Sequence, residues 1–192
     1  MAAEQDQVPM DATPLEAAPE ETAAQAELVS IGPSFLPTPP SGWSDTITGV
    51  DGPKFWDRMI STEGARSRRY DRPITVAFAE FVGLDRLSKQ WGADVGERAL
   101  ILAARTLSKE IRSSDHIARL EEVRFGIILT ETSEIAAINF IERARASCER
   151  ELAAAEVVQV AFGWASPAPK ADINEAVSQA LSRLASEVRD LQ

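Results

Sequence analysis

Residues 116–129 contain the clearest alternation of apolar and polar positions in the chain. In the second half of this stretch every second residue is apolar, which is the period of a half-buried β-strand. The alternating apolar residues are Val123, Phe125, Ile127 and Leu129. Ile117 and Leu120 begin a partner strand, and Glu121 and Glu122 fall between the two. The pattern predicts a β-hairpin with a two-residue turn at Glu121-Glu122.

Two further stretches are predicted to be strands. Residues 74–81, ITVAFAEF, are almost continuously apolar, and Pro73 before them favours an extended entry. A continuous apolar strand is typical of a sheet that is covered on both faces. Residues 156–165, EVVQVAFGWA, form the last predicted strand, and the turn SPAPK follows it.

Five helices are predicted, mostly from apolar residues that recur every three or four positions. The first opens at Gly52-Pro53 and carries Phe55, Trp56 and Met59 on one side, and a short helix covers residues 83–91. The expected capping residues are Asp51, Asp94 with Glu97, Ser133, and Asp172 with Glu175. The apolar stripes of the last three helices are Leu100, Ala103, Ala104, Leu107 and Ile111; Ala137, Ile141, Ala144 and Cys148; and Ile173, Ala176, Val177, Ala180, Leu181, Leu184 and Val188.

In chain order these elements are one helix followed by βααββαβα. This order predicts an α/β fold of the α+β sandwich type, in which helices pack against one sheet. The chain has 192 residues, of which 44% are apolar, so it can build one domain with a hydrophobic core.

Residues 1–44 differ in composition from the rest. They are rich in Ala, Glu and Gln and contain seven of the eleven prolines. Such a segment buries too little apolar surface to offset its ordering entropy, so we expect it to be disordered and the folded domain to start near Asp45. Residues 28–37, LVSIGPSFLP, are locally apolar and are interpreted either as linker or as a short docking motif.

The net charge of −10 is unevenly distributed. Residues 1–44 hold seven of the 30 acids and no Lys or Arg, whereas the other 23 acids face 20 bases in residues 45–192. This balance disfavours nucleic acid as a partner. The sequence has no apolar run long enough for a membrane span, and its single cysteine, Cys148, excludes an internal disulfide. We expect no secretory signal, because the first residues lack a basic start and an apolar stretch. A cytoplasmic location is the expectation.

Residues 45–192 resemble the GGDEF domain, the bacterial signalling family of diguanylate cyclases that join two GTP molecules into cyclic di-GMP. The resemblance follows the chain in colinear order. Its segments are DTITGVDGPKFW from residue 45, RRYDRPITVAF from 68, WGADVGERAL from 91, RSSDHIARLEEVRFGIIL from 112 and VAFGWA from 160. It implies a nucleotidyl-cyclase-like sandwich around a mostly antiparallel sheet.

The resemblance also implies that the catalytic positions have changed. The family signature Gly-Gly-Asp/Glu-Glu-Phe reads EEVRF here, so Val123 stands where the family has a metal-binding acid, and valine cannot ligate Mg²⁺. Two glutamates at the tip replace the glycines that let backbone amides approach a triphosphate. The degenerate positions are Glu80, Asp85, Ser88, Glu97, Glu121, Glu122, Val123, Arg124 and Ala185. We therefore expect no enzyme activity, no metal and no cofactor.

One family site is retained. Family members are commonly inhibited by their product at an R-x-x-D motif five residues before the signature, which here is Arg112 to Asp115, and a second arginine falls on Arg143. An arginine fork can bind guanine O6 and N7 or a phosphate, and an aspartate can accept from the guanine N1–H and N2–H₂ edge. The resemblance thus predicts a cyclic di-GMP site at Arg112, Asp115 and Arg143.

These residues also have an ordinary interpretation. A four-residue pattern matches by chance, and an arginine followed by an acid at a helix end is common dipole chemistry. Arg143 could equally be a solvated helix charge. His116 is interpreted as a strand residue, and Trp91 and Trp164 as core or rim residues.

Three functions follow. The first is a cytosolic cyclic di-GMP receptor, whose ligand could bridge two domains and whose output is an unidentified protein partner. The second is a ligand-independent interaction protein that pairs with an active cyclase or another partner, as a homodimer or with another GGDEF domain. The third, which the sequence favours least, is a residual cyclase in which Glu80, Glu121 or Glu122 recruits a metal.

Overall fold

The computed structural model describes residues 36–192. The chain forms one helix followed by βααββαβα, as the sequence predicts. The elements are α1 (Pro53–Tyr70), β1 (Ile74–Val82), α2 (Leu84–Trp91), α3 (Ala93–Glu110), β2 (His116–Arg119), β3 (Arg124–Thr130), α4 (Glu134–Glu151), β4 (Gln159–Ala165) and α5 (Ile173–Asp190). The α+β sandwich is confirmed.

The four strands form one sheet in the order β2-β3-β1-β4, and every neighbouring pair is antiparallel. Strand β1 is central, and Phe78 lies between Gly126 of β3 and Gly163 of β4. Both glycines are sites of close approach, because a Cβ at Gly126 would lie 2.7 Å from the Trp56 ring and one at Gly163 would lie 2.1 Å from the Ala180 carbonyl oxygen.

Helices cover both faces of the sheet, which explains the continuous apolar sequence of β1. Ala77, Ala79 and Phe81 pack in a cluster with α2, α3 and α4. Val76 and Phe78 point to the opposite face and pack with α1 and α5. The alternation of side chains along a strand thus supplies two hydrophobic cores from a single apolar segment.

Two of the predicted helix caps are confirmed. The Ser133 hydroxyl accepts a hydrogen bond from the Ala136 N–H at 3.3 Å, and the Asp172 carboxylate accepts one from the Asn174 N–H at 2.9 Å. Each side chain satisfies an N–H group that the first turn of its helix leaves without a partner.

The caps predicted at Asp51 and Asp94 are wrong. The N-cap of helix α1 is Gly52, and no side chain caps it; Asp51 lies one residue earlier, where its carbonyl accepts from the Arg119 N–H at 2.9 Å. Helix α3 is capped by Gly92 at φ 98°, and the same glycine ends α2. Since one left-handed residue joins these two helices, Asp94 already lies inside the first turn of α3.

Strand β4 starts three residues later than the sequence predicts. The N–H of Ala155 donates to the Leu152 carbonyl and that of Val158 donates to the Ala155 carbonyl, both at 2.8 Å. These two turns bend the chain, so pairing with β1 begins only at Gln159.

Residues 36–44, which precede the predicted start of the folded domain near Asp45, contact that domain. Arg119 in β2 is completely buried, and its guanidinium Nη2 donates to the carbonyls of Pro37 at 3.2 Å and Thr38 at 2.8 Å. Leu36 is half-buried against the α2–α3–α4 cluster. The disorder expected for residues 1–35, and most of the motif at 28–37, lie outside the described residues.

Arg119 joins residues 36–45, the entry segment, to the hairpin. Its Nη1 donates to Asp45 Oδ1 at 3.0 Å, and its Nε and Nη2 donate to the Glu122 carbonyl at 3.2 and 2.9 Å. Burial favours the neutral form of Asp45, but the hydrogen bonds from Thr48 and the charge of Arg119 outweigh it and hold the pKa below its usual 3.8. The pair is therefore ionised and fully hydrogen-bonded inside the fold.

Among residues 36–192, no helix is both long and apolar enough to cross a membrane.

Replacing Arg119 by Met should lower the free energy of unfolding by about 3–5 kcal/mol, because it leaves the Asp45 charge buried without its partner. Urea denaturation measures this loss. Lys89→Ala is the control, since it removes only an exposed ion pair with Asp85 and should cost at most about 1 kcal/mol. Equal losses in the two variants would contradict a central role for Arg119.

The ion pair should also make stability depend on pH. Because the folded pKa of Asp45 is lowered, its contribution is present above the unfolded value of about 3.9 and is lost as the pH falls through the folded value. The difference in unfolding free energy between wild type and Asp45→Asn should be constant at neutral pH and shrink below about pH 4. A difference that stays constant into this acid range would contradict the assignment.

Candidate functional site

The hairpin tip is wider than the sequence predicts. Four residues, 120–123, separate β2 from β3, and the Leu120 N–H donates to the Arg124 carbonyl at 2.9 Å. Val123 lies outside strand β3, and its carbonyl accepts from the Phe81 N–H at 3.2 Å. The expected two-residue turn is wrong because Arg119 holds the Glu122 carbonyl and draws the tip towards the entry segment.

At the base of this tip, Arg124 forms ion pairs with two glutamates. The register places Arg124 of β3 directly opposite Glu80 of β1. Its Nη2 lies 2.7 Å from Glu80 Oε2, and its Nη1 lies 2.6 Å from Glu121 Oε1. Glu80 is mostly buried, with a side-chain exposure of 16%, so this cation neutralises an acid in a partly desolvated place.

A cavity of about 360 Å³ adjoins this ion pair. The structure brings Glu80, Asp85 and Val123 together along it, with Leu36 and the terminal Gln192 on its rim. Asp85 makes an exposed ion pair with Lys89 at 3.3 Å. Within residues 36–192 no group of three or more His, Cys, Asp or Glu side chains is arranged to hold a metal ion.

The remaining positions that the resemblance singles out lie away from this cavity. Ser88 is buried at the contact of α2 with α3, where a Cβ on Gly96 would lie 1.8 Å from the Ser88 hydroxyl. That hydroxyl is the one buried side-chain polar atom without a partner among the described residues. Glu97 and Ala185 are exposed on α3 and α5.

At the other end of the hairpin, Asp115 connects the end of α3 to the end of β3. Its Oδ2 accepts from the Arg112 backbone N–H at 3.0 Å. Its Oδ1 accepts from the Thr130 N–H at 3.0 Å and lies 3.3 Å from the Thr130 hydroxyl. Asp115 is buried, so these bonds give it a structural role of its own.

Arg143 on α4 is held by α3. Its Nε donates to Glu110 Oε2 at 2.7 Å, and its Nη2 donates to the Glu110 carbonyl at 3.0 Å. The other carboxylate oxygen, Oε1, accepts from the Ser147 hydroxyl at 2.7 Å. The Ser147 hydrogen bond and the charge of Arg143 lower the pKa of Glu110 despite its partial burial, so the carboxylate is ionised at neutral pH.

The three residues of the predicted ligand site line one cavity of about 430 Å³ between α3, α4 and the end of β3. The structure thus brings Arg112, Asp115 and Arg143 together. Glu110 and Glu131 line the same cavity, so three carboxylates face two guanidinium groups. The side chain of Arg112 makes no hydrogen bond or ion pair with any described residue and is free to meet a ligand.

Two important residues were not singled out from the sequence. Arg119 shares one face of β2 with buried Ile117, and a charged residue at an apolar strand position is a signal of a buried ion pair. Glu110 gives no such signal, because it contacts Arg143 only through the packing of α3 on α4. His116 opens β2 and packs edge-on against Phe55, in agreement with its interpretation as a strand residue.

A second surface feature is an apolar groove between α2, α3 and the end of α4. Its volume is about 340 Å³, and it is lined by Leu87, Trp91, Val95, Leu102 and Leu152 among others. The Trp91 side chain is 65% exposed there, so it belongs to the rim rather than the core. Trp164 of β4 is half-buried and packs against the α2–α3–α4 cluster.

Sequence comparison finds that part of this chain is similar to segments of diguanylate cyclases. The chain is 30% identical over 99 residues to the probable diguanylate cyclase DgcC of Escherichia coli, a segment that covers 52% of this chain and 27% of DgcC. It is 28% identical over 104 residues to the diguanylate cyclase DgcP of Pseudomonas aeruginosa, which covers 54% of this chain and 16% of DgcP. The chain thus matches only about a quarter or less of the length of these curated relatives.

Solved structures share the fold. The diguanylate cyclase SiaD of Pseudomonas aeruginosa, crystallised with its activator SiaC, superposes with a TM-score of 0.69 at 21% identity, over 79% of this chain and 60% of SiaD. The GGDEF domain of DgcB from Caulobacter crescentus, crystallised with c-di-GMP, gives a TM-score of 0.69 at 15% identity, over 78% of this chain and 92% of that domain.

The family profile described as "Diguanylate cyclase, GGDEF domain" matches residues 43–189. This span includes all nine helices and strands up to the last turn of α5. The chain therefore belongs to the GGDEF domain family of diguanylate cyclases.

Proposed function

We propose that this GGDEF-family protein is a non-catalytic receptor for cyclic di-GMP, which it binds at Arg112, Asp115 and Arg143 and whose presence it signals through a protein partner. The observation that carries the proposal is the meeting of these three side chains on one cavity. A related domain, that of DgcB, was crystallised with the same dinucleotide.

Each side chain keeps the hydrogen-bonding capacity that a guanine requires. The Arg112 guanidinium has no partner in residues 36–192, so it can offer its fork to guanine O6 and N7. Asp115 Oδ2 accepts only one hydrogen bond from the described residues, from the Arg112 N–H, and can accept another from the guanine N1–H or N2–H₂ edge. Arg143 can donate through Nη1 to a phosphate or a base.

The charge of the cavity lining opposes the binding of cyclic di-GMP by a single copy of the protein. Three carboxylates against two guanidinium groups make its lining net negative, whereas cyclic di-GMP carries two phosphate charges. Additional cations from a neighbouring domain would relieve this repulsion. The proposal therefore includes a ligand that bridges two domains, so that binding changes what the protein contacts.

The same protein is proposed to be inactive as a cyclase. Val123 offers no side-chain oxygen to Mg²⁺ at the signature position. Glu80 already forms an ion pair with the permanently charged Arg124. Asp85 adds a negative charge to the cavity that a nucleotide triphosphate would have to enter. No metal or cofactor is part of the proposal.

Substituting Arg112 by Ala should weaken cyclic di-GMP binding about 10- to 100-fold, since hydrogen bonds to a charged group are worth about 1.5–3 kcal/mol. Isothermal titration calorimetry gives the affinities. Arg105→Ala is the matched control, because Arg105 is exposed on the same helix α3 and does not line the cavity. No heat with folded wild type, or equal affinities in wild type and Arg112→Ala, would refute the receptor.

Purified protein incubated with GTP and Mg²⁺ should form no cyclic dinucleotide, because the metal position is a valine and the neighbouring acid is already paired. Chromatography of the reaction products measures this, with an active diguanylate cyclase as the positive control. Sustained formation of a cyclic dinucleotide would favour the third function, a residual cyclase.

A ligand-independent interaction protein is the second candidate, and the exposed Trp91 on an apolar groove favours it. The diguanylate cyclase SiaD, which shares this fold, was crystallised in complex with its activator SiaC. Binding of a cyclase or other partner that persists without cyclic di-GMP and in Arg112→Ala, but is lost in Trp91→Ala, would support this candidate over the receptor.

A further inference from the structure

The Glu110–Arg143 contact joins two helices at the rim of the proposed ligand cavity. The Arg143 side chain is 56% exposed, yet two of its nitrogens are held by one residue, Nε by the Glu110 carboxylate and Nη2 by the Glu110 carbonyl. An exposed arginine normally samples many rotamers, and fixing it costs conformational entropy. Here that entropy is already lost before any ligand arrives.

Glu110 is itself held in place. Its carboxylate is only 18% exposed, and its second oxygen accepts from the Ser147 hydroxyl at 2.7 Å. Arg150 Nη2 donates to the same hydroxyl at 3.1 Å, so a row of four side chains runs from Arg150 to Arg143. The bonds to Ser147 and Arg143 fix the orientation of the Glu110 carboxylate, and the fixed carboxylate in turn orients the Arg143 guanidinium.

The bonds to Glu110 use one side of the guanidinium and leave the other side open. Nη1 of Arg143 makes no bond to any residue of the described part, and Nη2 has a second hydrogen. Arg143 lines the cavity together with Arg112. The free end of the guanidinium can therefore present a planar pair of donors to a phosphate or guanine without breaking the Glu110 bonds.

We propose that Glu110 is a positioning residue of the ligand site, which preorganises Arg143 for an anionic nucleotide by holding its Nε and Nη2. The proposal rests on the proposed cyclic di-GMP function and specifies how that site is built. Glu110 acts through Arg143 and makes no bond to the ligand. Its positioning contribution to ligand affinity therefore requires Arg143.

Glu110 also has an opposite effect, because its negative charge lies on a cavity that binds an anion. Positioning and repulsion are separated by two substitutions. Gln retains an oxygen for Arg143 Nε and a group for Ser147 while removing the charge. Ala removes both the charge and the hydrogen bonds.

The experiment titrates cyclic di-GMP into wild type, Glu110→Ala, Glu110→Gln and Arg143→Ala, and into the double variant Glu110→Ala/Arg143→Ala. Glu110→Ala should weaken binding about three- to tenfold, the cost of immobilising one flexible side chain on binding. Glu110→Gln should bind at least as tightly as wild type. In the Arg143→Ala background the Glu110→Ala change should not weaken binding further, because only the repulsion by the Glu110 charge is left to remove. Thermal melting confirms that each variant is folded.

Three results would overturn the proposal. Wild-type affinity in Glu110→Ala, when wild type does bind, would refute positioning and leave the receptor function standing. Tighter binding in both Glu110→Ala and Glu110→Gln would make Glu110 a competitor of the ligand. No binding by wild type would refute the receptor function and, with it, the role assigned here to Glu110.

Discussion

The buried ion pair of Arg119 with Asp45 is the contact on which the position of the hairpin tip depends. One guanidinium satisfies the Asp45 carboxylate and three backbone carbonyls, those of Pro37, Thr38 and Glu122. A buried arginine is tolerated only when such a set of acceptors surrounds it. These acceptors lie in the entry segment and in the hairpin. Arg119 therefore fixes the position of the tip, and of the cavity beside it, without lining that cavity.

Register connects this contact to the chemistry of the tip. With β2, β3 and β1 paired as they are, Arg124 must lie opposite Glu80. A cation and an acid directly across two strands form a favourable pair. The strand pairing that builds the sheet thus also places a permanent cation against Glu80. The ion pair of Arg124 with Glu121 in the tip and its ion pair with Glu80 belong to the same local arrangement.

The sequence predicts the order of elements because each element carries its own period, and it predicts caps where a polar side chain has no competing role, as at Ser133. It fails at Asp51, because Gly52 is the N-cap of α1, and at Asp94, because Gly92 both ends α2 and caps α3. The family resemblance singled out Arg112, Asp115 and Arg143 as candidate ligand residues, and they line one cavity. It could not reveal Glu110, whose contact with Arg143 joins residues 33 positions apart.

The arginine and the aspartate of the R-x-x-D motif do not support the proposed ligand binding equally. Asp115 binds the backbone of Arg112 and of Thr130, so folding alone explains an aspartate at this position. The Arg112 side chain stabilises nothing within the described residues, and a solvated arginine at a helix end contributes little. Arg143 differs, because Glu110 holds its Nε and Nη2, but its Nη1 makes no bond to any described residue. A ligand bound between them would give these two guanidinium groups a common partner, so they, rather than Asp115, support the proposed receptor function.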